Sequence, residues 1–179
     1  MNLNKLLSTK ERRRLLETVI FSDSLPNASC LSKQLKISKG LVSQYFTILA
    51  SEGIVKRSGN KISTRDNLRV KTLKILLTLD SLNINLSRYP FIRGAGIYGS
   101  TVKGENTANS DIDLWILTDD VKDEELSKVT AELKRKNQRI SPLYLTSNKI
   151  KELKEKDKLF YHSLFFGSIY IFGERIETA

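Results

Sequence analysis

The sequence has one cysteine, one histidine and no long apolar run, and these scarcities exclude several classes of protein. Cys30 has no second cysteine to pair with, which excludes an intramolecular disulfide and favours a reducing compartment. No segment approaches the roughly 20 apolar residues that a membrane-spanning helix needs. The basic cluster at residues 10–14 is not followed by the apolar segment of a signal peptide. We therefore expect a cytoplasmic protein that does not contact a membrane.

Basic residues are unevenly distributed along the chain. Residues 1–90 contain 16 Lys and Arg against 6 Asp and Glu, whereas residues 91–179 contain 14 of each. A chain that is basic throughout would spread its charge over both halves. A basic half joined to a neutral half instead indicates two modules with different partners, and a basic module is typical of nucleic-acid binding.

The first half shows the pattern of three helices followed by a β-hairpin. Apolar spacing predicts helices over 12–21, 29–35 and 39–51, the last capped by Ser38 and ended at Gly53. A hairpin with strands over 54–57 and 61–63 and a turn over 58–60 follows. We expect Tyr45 to face the core, because it shares the helical spacing of its apolar neighbours.

This pattern resembles the winged helix-turn-helix of bacterial and archaeal transcription factors, over about the first 65 residues. The resemblance implies that the third helix reads base edges and that the hairpin contacts phosphates. Such modules also serve in dimerisation and protein docking, so DNA binding and a homodimer both stay open. The residues expected to contact DNA are Lys39, Ser43, Gln44, Thr47, Lys56, Arg57 and Lys61.

The second half alternates strands and helices. A helix over 66–82, expected to be buried, and a linker to about residue 87 connect the halves. Strands are predicted over 91–98, 111–117, 140–146 and 167–172, and helices over 123–137, 147–156 and 159–166. The aromatic segment 159–166 should form core, with His162 half-buried in a structural role, and the charged helix before it should face solvent.

A glycine-serine turn and a pair of aspartates carry the chemistry of this half. Gly99 and Ser100 follow a predicted strand, where backbone N–H groups and a hydroxyl can hold phosphate oxygens, and Lys103 adds a cation. Asp111 and Asp113 are two apart on a strand, so their side chains share one face. Adjacent carboxylates repel each other unless a hard divalent cation lies between them. Together these residues predict a metal–triphosphate site.

The segment YGSTVKGENTANSDIDLWI resembles the minimal nucleotidyltransferases of the DNA polymerase beta superfamily. The resemblance covers roughly residues 90–179 and implies transfer of a nucleoside monophosphate, usually from ATP, to a hydroxyl with Mg²⁺ or Mn²⁺. It assigns catalysis and metal binding to Asp111 and Asp113, and nucleotide binding to Gly99, Ser100 and Lys103. It also makes a toxin ribonuclease of the HEPN class a plausible protein acceptor, because minimal nucleotidyltransferases often act as antitoxins.

The two resemblances together imply an α+β fold with three parts. These are a winged helix-turn-helix over 1–65, a connecting helix and linker over 66–87, and a nucleotidyltransferase domain with a mixed sheet and flanking helices over 88–179.

One departure from the family leaves two functions open. The family has a third carboxylate on the next strand, but residues 139–146 contain no Asp or Glu, and Glu152 or Glu155 would have to substitute. The chain is either a nucleotidyltransferase with a DNA-binding module, or a DNA-binding regulator whose second domain only senses a nucleotide or docks a partner.

Overall fold

The structure, a computed structural model, describes residues 1–22, 24–58 and 61–176. The chain divides into two compact units. The first comprises Met1–Leu77 with Asn106–Ala108, and the second comprises Thr78–Glu105 with Asn109–Ala179. In the described part of the chain no helix is long and apolar enough to cross a membrane.

Four helices and a two-stranded antiparallel sheet form most of the first unit. The elements are α1 (Leu3–Leu7), α2 (Lys10–Phe21), α3 (Ala28–Leu35), α4 (Lys39–Ser51), β1 (Val55–Ser58) and β2 (Lys61–Thr64). The three longer helices and both strands agree with the prediction to within two residues. The predicted hairpin turn includes residues 59 and 60, which lie outside the described residues.

Helix α4 begins and ends as its sequence predicts. Ser38 Oγ accepts a hydrogen bond from the backbone N–H of Leu41, which satisfies one of the free donors at the start of the helix. Gly53 follows the last turn with φ +74°, a conformation that glycine adopts without strain. Tyr45 is buried, as expected, and its hydroxyl donates to the carbonyl of Leu6 across the core at 2.8 Å. The short helix α1, absent from the sequence-based prediction, is therefore bound to the core by a buried hydrogen bond.

Helix α5 (Leu68–Ser81) begins in the first unit and ends in the second. The prediction that its apolar residues are buried was wrong for two of them. Leu68 is 78% exposed and Leu76 is 41% exposed. The apolar residues of this helix are distributed around its whole circumference, so the sequence pattern alone does not show which of them a neighbour covers.

A mixed four-stranded sheet with flanking helices forms the second unit, as predicted for an α+β fold. In chain order the elements are β3 (Ile92–Ile97), α6 (Ser100–Lys103), β4 (Ile112–Thr118), α7 (Asp123–Lys136), β5 (Ile140–Leu145), α8 (Ser147–Lys156), α9 (Lys158–Phe166) and β6 (Ile169–Gly173). The strand order is β5-β4-β3-β6. Only β4 and β5 are parallel, and α7 makes the crossover between them.

The two faces of the sheet pack against different helices. Ile112, Leu114 and Ile116 of β4 join a core that includes Val129 and Leu133 of α7. The alternate residues of β4 face the other way, and Trp115 and Leu117 pack with residues of α8 and α9. Strand residues two apart share a face, so Asp113 lies on the same face as Trp115, towards α8 and α9.

Candidate functional site

The glycine-serine turn lies between β3 and α6. Gly99 has φ +72° and precedes the first residue of α6, Ser100. A Cβ atom placed on Gly99 would overlap the carboxylate oxygen Oδ2 of Asp113. Glycine is therefore required here for two reasons, the backbone conformation and the close approach of a carboxylate. Lys103 is the last residue of α6 and its side chain is exposed.

The two aspartates lie at the start of β4, beside this turn. Strand β4 begins at Ile112, so Asp111 immediately precedes the strand instead of opening it as predicted. Asp111 is exposed and Asp113 is half-buried. The backbone N–H of Tyr98 donates to the carbonyl of Asp113 at 3.1 Å, which continues the pairing of β3 with β4 up to the turn. The antiparallel pairing therefore brings together Gly99 and Asp113, which are 14 positions apart in the sequence.

The electrostatics of the pair favour a cation. Burial raises the pKa of Asp113, and the negative charge of Asp111 raises it further. The charge of Asp113 in turn adds to burial in raising the pKa of the Tyr98 hydroxyl. Among the described residues, no Lys or Arg forms an ion pair with either carboxylate. In the part of the chain that the structure describes, the two negative charges therefore lie close together without an ion-paired Lys or Arg.

Strand β5 provides no carboxylate at this site. Ser141 is the partner of Asp113 in the parallel β4–β5 register, and it is exposed. Glu152, proposed from the sequence as a substitute, is bound to Lys156 at 2.7 Å on the exposed face of α8, and Glu155 is also exposed. Within the ranges that the structure describes, no three His, Cys, Asp or Glu side chains form a potential metal cluster. The carboxylates that the sequence motif brings to this position are those of Asp111 and Asp113.

A groove of about 670 Å³ opens beside the turn. We call it the aromatic groove and define it by six of its lining residues, Tyr98, Gly99, Lys103, Phe160, His162 and Phe166. Its volume lies in the range typical of small-molecule sites. Three of these residues are from the glycine-serine turn and its flanks, and three are from α9.

The aromatic residues of α9 differ from the sequence-based expectation. Tyr161 and Leu164 are buried, as predicted for core residues. Phe166, however, is 78% exposed, and His162 is exposed instead of half-buried. Their rings are nearly parallel, at 16° with centroids 5.8 Å apart. Sequence reasoning therefore missed the groove-lining role of α9, since helical spacing does not distinguish an aromatic residue of the core from one that lines a cavity.

The residues expected to contact DNA are all exposed in the first unit. Four of them lie on one side of α4, opposite its buried residues Val42 and Tyr45, and the others lie in β1 and β2. The α4 residues are Lys39, Ser43, Gln44 and Thr47, and the strand residues are Lys56, Arg57 and Lys61.

The second unit is similar to known nucleotidyltransferases. The family model "Polymerase beta, Nucleotidyltransferase" matches residues 81–177. Among curated proteins, none matches the chain. Solved structures are also similar at low identity, among them the following three.

A putative nucleotidyltransferase from Sulfolobus solfataricus is 14% identical, with 58% of this chain and 84% of that chain covered and a TM-score of 0.36. A toxin–antitoxin with AMP-PNP is 16% identical, with coverages of 62% and 77% and a TM-score of 0.36. A tri-AMPylated Shewanella oneidensis HEPN toxin in complex with its MNT antitoxin is 12% identical, with coverages of 58% and 73% and a TM-score of 0.33. The family model matches more than half of the 179 residues of this chain, and the chain therefore belongs to the polymerase beta nucleotidyltransferase family.

Proposed function

We propose that the second unit transfers a nucleoside monophosphate, AMP from ATP, to a hydroxyl group of a macromolecule. The observation that carries this proposal is the contact between Gly99 and the Asp113 carboxylate, next to a second aspartate, with no Lys or Arg of the described residues in an ion pair with either carboxylate. A structural aspartate would gain stability from a cationic side chain or a hydrogen bond. Two neighbouring aspartates that lack such a partner are suited to bind a divalent cation, which would arrive together with the nucleoside triphosphate.

The donor atoms of the site fit Mg²⁺ or Mn²⁺. Asp111 and Asp113 offer carboxylate oxygens, the ligands that hard divalent cations prefer. A bound metal would supply charge neutralisation for the triphosphate.

The residues of the turn have separate roles in this proposal. Gly99 leaves room for the backbone to approach a phosphate, Ser100 offers a backbone N–H and a hydroxyl at the start of α6, and Lys103 adds a positive charge at its end. These groups hold the triphosphate in place beside the two carboxylates.

A second candidate function follows from the missing third carboxylate. Ser141 lies where β5 runs beside Asp113, and a serine hydroxyl is a poor metal ligand compared with a carboxylate. Two aspartates are enough to bind a metal–nucleotide complex, whereas activation of the attacking hydroxyl needs further help. In this alternative the second unit senses a nucleotide or docks a partner, and the chain is a DNA-binding regulator.

We further propose that the first unit is a winged helix-turn-helix that binds DNA. In its support, α4 exposes Lys39, Ser43, Gln44 and Thr47 on one side, and the β1–β2 hairpin exposes three basic residues. Gln pairs with the adenine edge through two hydrogen bonds, and Lys and Arg bind phosphates without regard to sequence. A homodimer is part of this proposal only by analogy with other modules of this type.

The motif resemblance to minimal nucleotidyltransferases makes a HEPN-class ribonuclease the first protein to test as an acceptor.

Label transfer from ATP distinguishes the two functions. The protein is incubated with Mg²⁺ or Mn²⁺ and ATP labelled at the α-phosphate, with a HEPN-class protein or a cell extract as acceptor. The enzyme proposal expects labelled product from the wild type and none from Asp111→Ala/Asp113→Ala. Metal-dependent ATP binding by calorimetry without any label transfer would support the sensor, whereas neither binding nor transfer would leave a DNA-binding regulator whose second unit docks a partner.

A further inference from the structure

Three residues of the loop between the glycine-serine turn and the aspartates belong to the first unit. We call residues 104–110 the motif loop. The second unit stops at Glu105 and resumes at Asn109, and the intervening Asn106–Ala108 groups with Met1–Leu77. Asn106 is only 2% exposed, so the middle of the loop is packed rather than left in solvent. The two halves of the sequence motif are therefore joined by a segment that the first unit holds.

Two hydrogen bonds within the first unit hold this segment. The backbone N–H of Ala108 donates to the carbonyl of Phe21, the last residue of α2, at 3.0 Å. The ammonium group of Lys74 on α5 donates to the carbonyl of Asn106 at 2.7 Å. The same ammonium lies 5.8 Å from the centre of the Phe21 ring, which is a cation–π distance. A charged donor makes a hydrogen bond about twice as strong as a neutral one, so the bond from Lys74 is the stronger of the two.

The position of Asp111 depends on the motif loop more than that of Asp113 does. Asp113 lies inside β4, and its carbonyl accepts a hydrogen bond from the backbone of Tyr98. Asp111 precedes the strand and is exposed, so β4 fixes its backbone on one side and the loop fixes it on the other. Ala108 is three positions earlier, and three residues span at most about 11 Å. Holding the loop therefore limits the positions of Asp111 and lowers the entropy that it loses when it binds a cation.

We propose that Lys74 is a positioning residue of the metal–triphosphate site, which acts through the motif loop on Asp111. This inference rests on the proposed function, because it takes Asp111 to bind the cation that accompanies ATP. Lys74 lies outside residues 81–177, which the polymerase beta family model matches. The inference thus gives the first unit a part in nucleotide binding besides the proposed binding of DNA.

Calorimetric titration of ATP with Mg²⁺ into the full chain tests the inference with two variants of Lys74. Lys74→Met retains an apolar side chain of similar length and removes the ammonium group, so ATP affinity should fall by about 5- to 20-fold. Lys74→Arg retains a cationic donor and should bind ATP within about threefold of the wild type. A loss in Lys74→Arg as large as in Lys74→Met would overturn the inference, because it would assign the effect to packing of the side chain.

The dependence on Mg²⁺ shows whether Lys74 acts through a metal ligand. At a fixed ATP concentration, the Mg²⁺ concentration that gives half of the maximal ATP binding should rise in Lys74→Met by about 5- to 20-fold. Weaker ATP binding with an unchanged half-saturating Mg²⁺ concentration would overturn the action through Asp111, since the metal would then be held as in the wild type.

Thr64→Val is the matched control, because it also removes a hydrogen bond to the last turn of α2. Thr64 Oγ1 donates to the carbonyl of Val19 at 2.9 Å. Valine has nearly the same shape without the hydroxyl, so the variant should melt at a lower temperature than the wild type. Its affinity for ATP and its half-saturating Mg²⁺ concentration should not change. An equal loss of ATP affinity in Thr64→Val and Lys74→Met would overturn the inference, because lowered stability of the first unit would then explain both.

Two further outcomes separate this inference from the proposed function. An unchanged ATP affinity in Lys74→Met would overturn the inference and leave the proposed function intact. Failure of the wild type to bind ATP with Mg²⁺ would overturn the proposed nucleotide transfer together with the inference.

Discussion

Gly99 and Asp113 are in direct contact: the carboxylate of Asp113 occupies the space that a Cβ atom on Gly99 would need. This contact connects the two halves of the sequence motif, since one residue belongs to the glycine-serine turn and the other to the aspartate pair. The position of the carboxylate therefore depends on the absence of a side chain at residue 99.

Gly99→Ala should impair the site more than the fold. Gly99 has φ +72° and ψ −144°, a region that residues other than glycine rarely adopt, so alanine there costs roughly 1–3 kcal/mol and lowers the Tm. The added methyl group also displaces the Asp113 carboxylate, so Mg²⁺–ATP affinity should fall by at least about tenfold. Thermal denaturation and calorimetric titration measure the two effects separately.

Gly53→Ala is the matched control for this variant. Gly53 also has a positive φ, +74°, but the nearest atom to its added Cβ would be a guanidinium nitrogen of Arg69 at 3.4 Å. The control should show a loss of Tm and unchanged ATP affinity. If both variants bind ATP as the wild type does, the contact between Gly99 and Asp113 has no role in nucleotide binding.

Asp113→Asn should stabilise the protein in the absence of metal. The folded state raises the pKa of Asp113, so it holds the proton more tightly than the unfolded state does. Stability therefore falls as the pH rises through the interval from the ordinary value of 3.8 to the raised value, and this group remains destabilising at neutral pH. Asparagine removes that cost, and we expect a Tm at pH 7 that is higher by at most about 2 °C, since solvent screens a half-exposed group.

The pH dependence of this effect gives the check. Denaturation in EDTA at a series of pH values should show the two melting temperatures converging as the pH is lowered towards 4. An Asp113→Asn variant that melts below the wild type at pH 7 without metal would contradict the assignment, because it would indicate that the ionised carboxylate has a stabilising partner.

Much of the fold could be predicted from the sequence because its longer elements have strong apolar periodicity. Helix α8 begins at Ser147 and ends at Lys156, as predicted, and the strands of the mixed sheet begin and end within two residues of their expected positions. The two short helices were not predicted. Helix α1 has five residues and α6 has four, too few for a period of 3.6 residues to be recognised.

The site could be predicted only as far as its motif extends. The spacing of Gly99 and Asp113 indicated a common site, and the β3–β4 register brings them together. The aromatic groove could not be predicted, because it unites Tyr98 with Phe160 and Phe166, which are more than 60 positions away in the sequence. Local sequence patterns do not show which distant residues come together. They also do not show whether Phe166 is exposed, because its position in the helical repeat would be the same if it were buried.

If the first unit binds DNA, replacing a residue that reads a base and replacing a residue that binds a phosphate should affect duplex affinity differently. Gln44→Ala should weaken binding to one preferred duplex by about 1–3 kcal/mol and leave other duplexes unaffected. Lys56→Ala should weaken all duplexes alike and reduce the slope of log K against log salt by about one. Fluorescence anisotropy with a panel of duplexes at several salt concentrations measures both.

An exposed lysine of the second unit provides the control for the DNA experiment. Lys151 lies on the exposed face of α8, in the half of the chain whose charges balance. Lys151→Ala should leave both the affinity and the salt slope unchanged. Equal affinity of wild type, Gln44→Ala and Lys56→Ala for every duplex would mean that the first unit does not bind DNA through α4 and the hairpin, and would favour a docking or dimerisation role.

Ser141→Asp should restore the carboxylate that β5 lacks. In the parallel register Ser141 is the partner of Asp113, so the two side chains lie on the same face of the sheet, and the exposure of Ser141 leaves room for a longer side chain. A third carboxylate should improve metal binding and help to activate the attacking hydroxyl. We therefore expect label transfer from ATP to rise by about tenfold, or about 1.4 kcal/mol of transition-state stabilisation.

Ser141→Asn is the control, because asparagine has nearly the same volume as aspartate without the charge, and it should not raise the rate. A faster Ser141→Asp with an inactive wild type would identify the natural protein as a nucleotide sensor, whereas equal rates in all three proteins would show that two aspartates are sufficient for transfer.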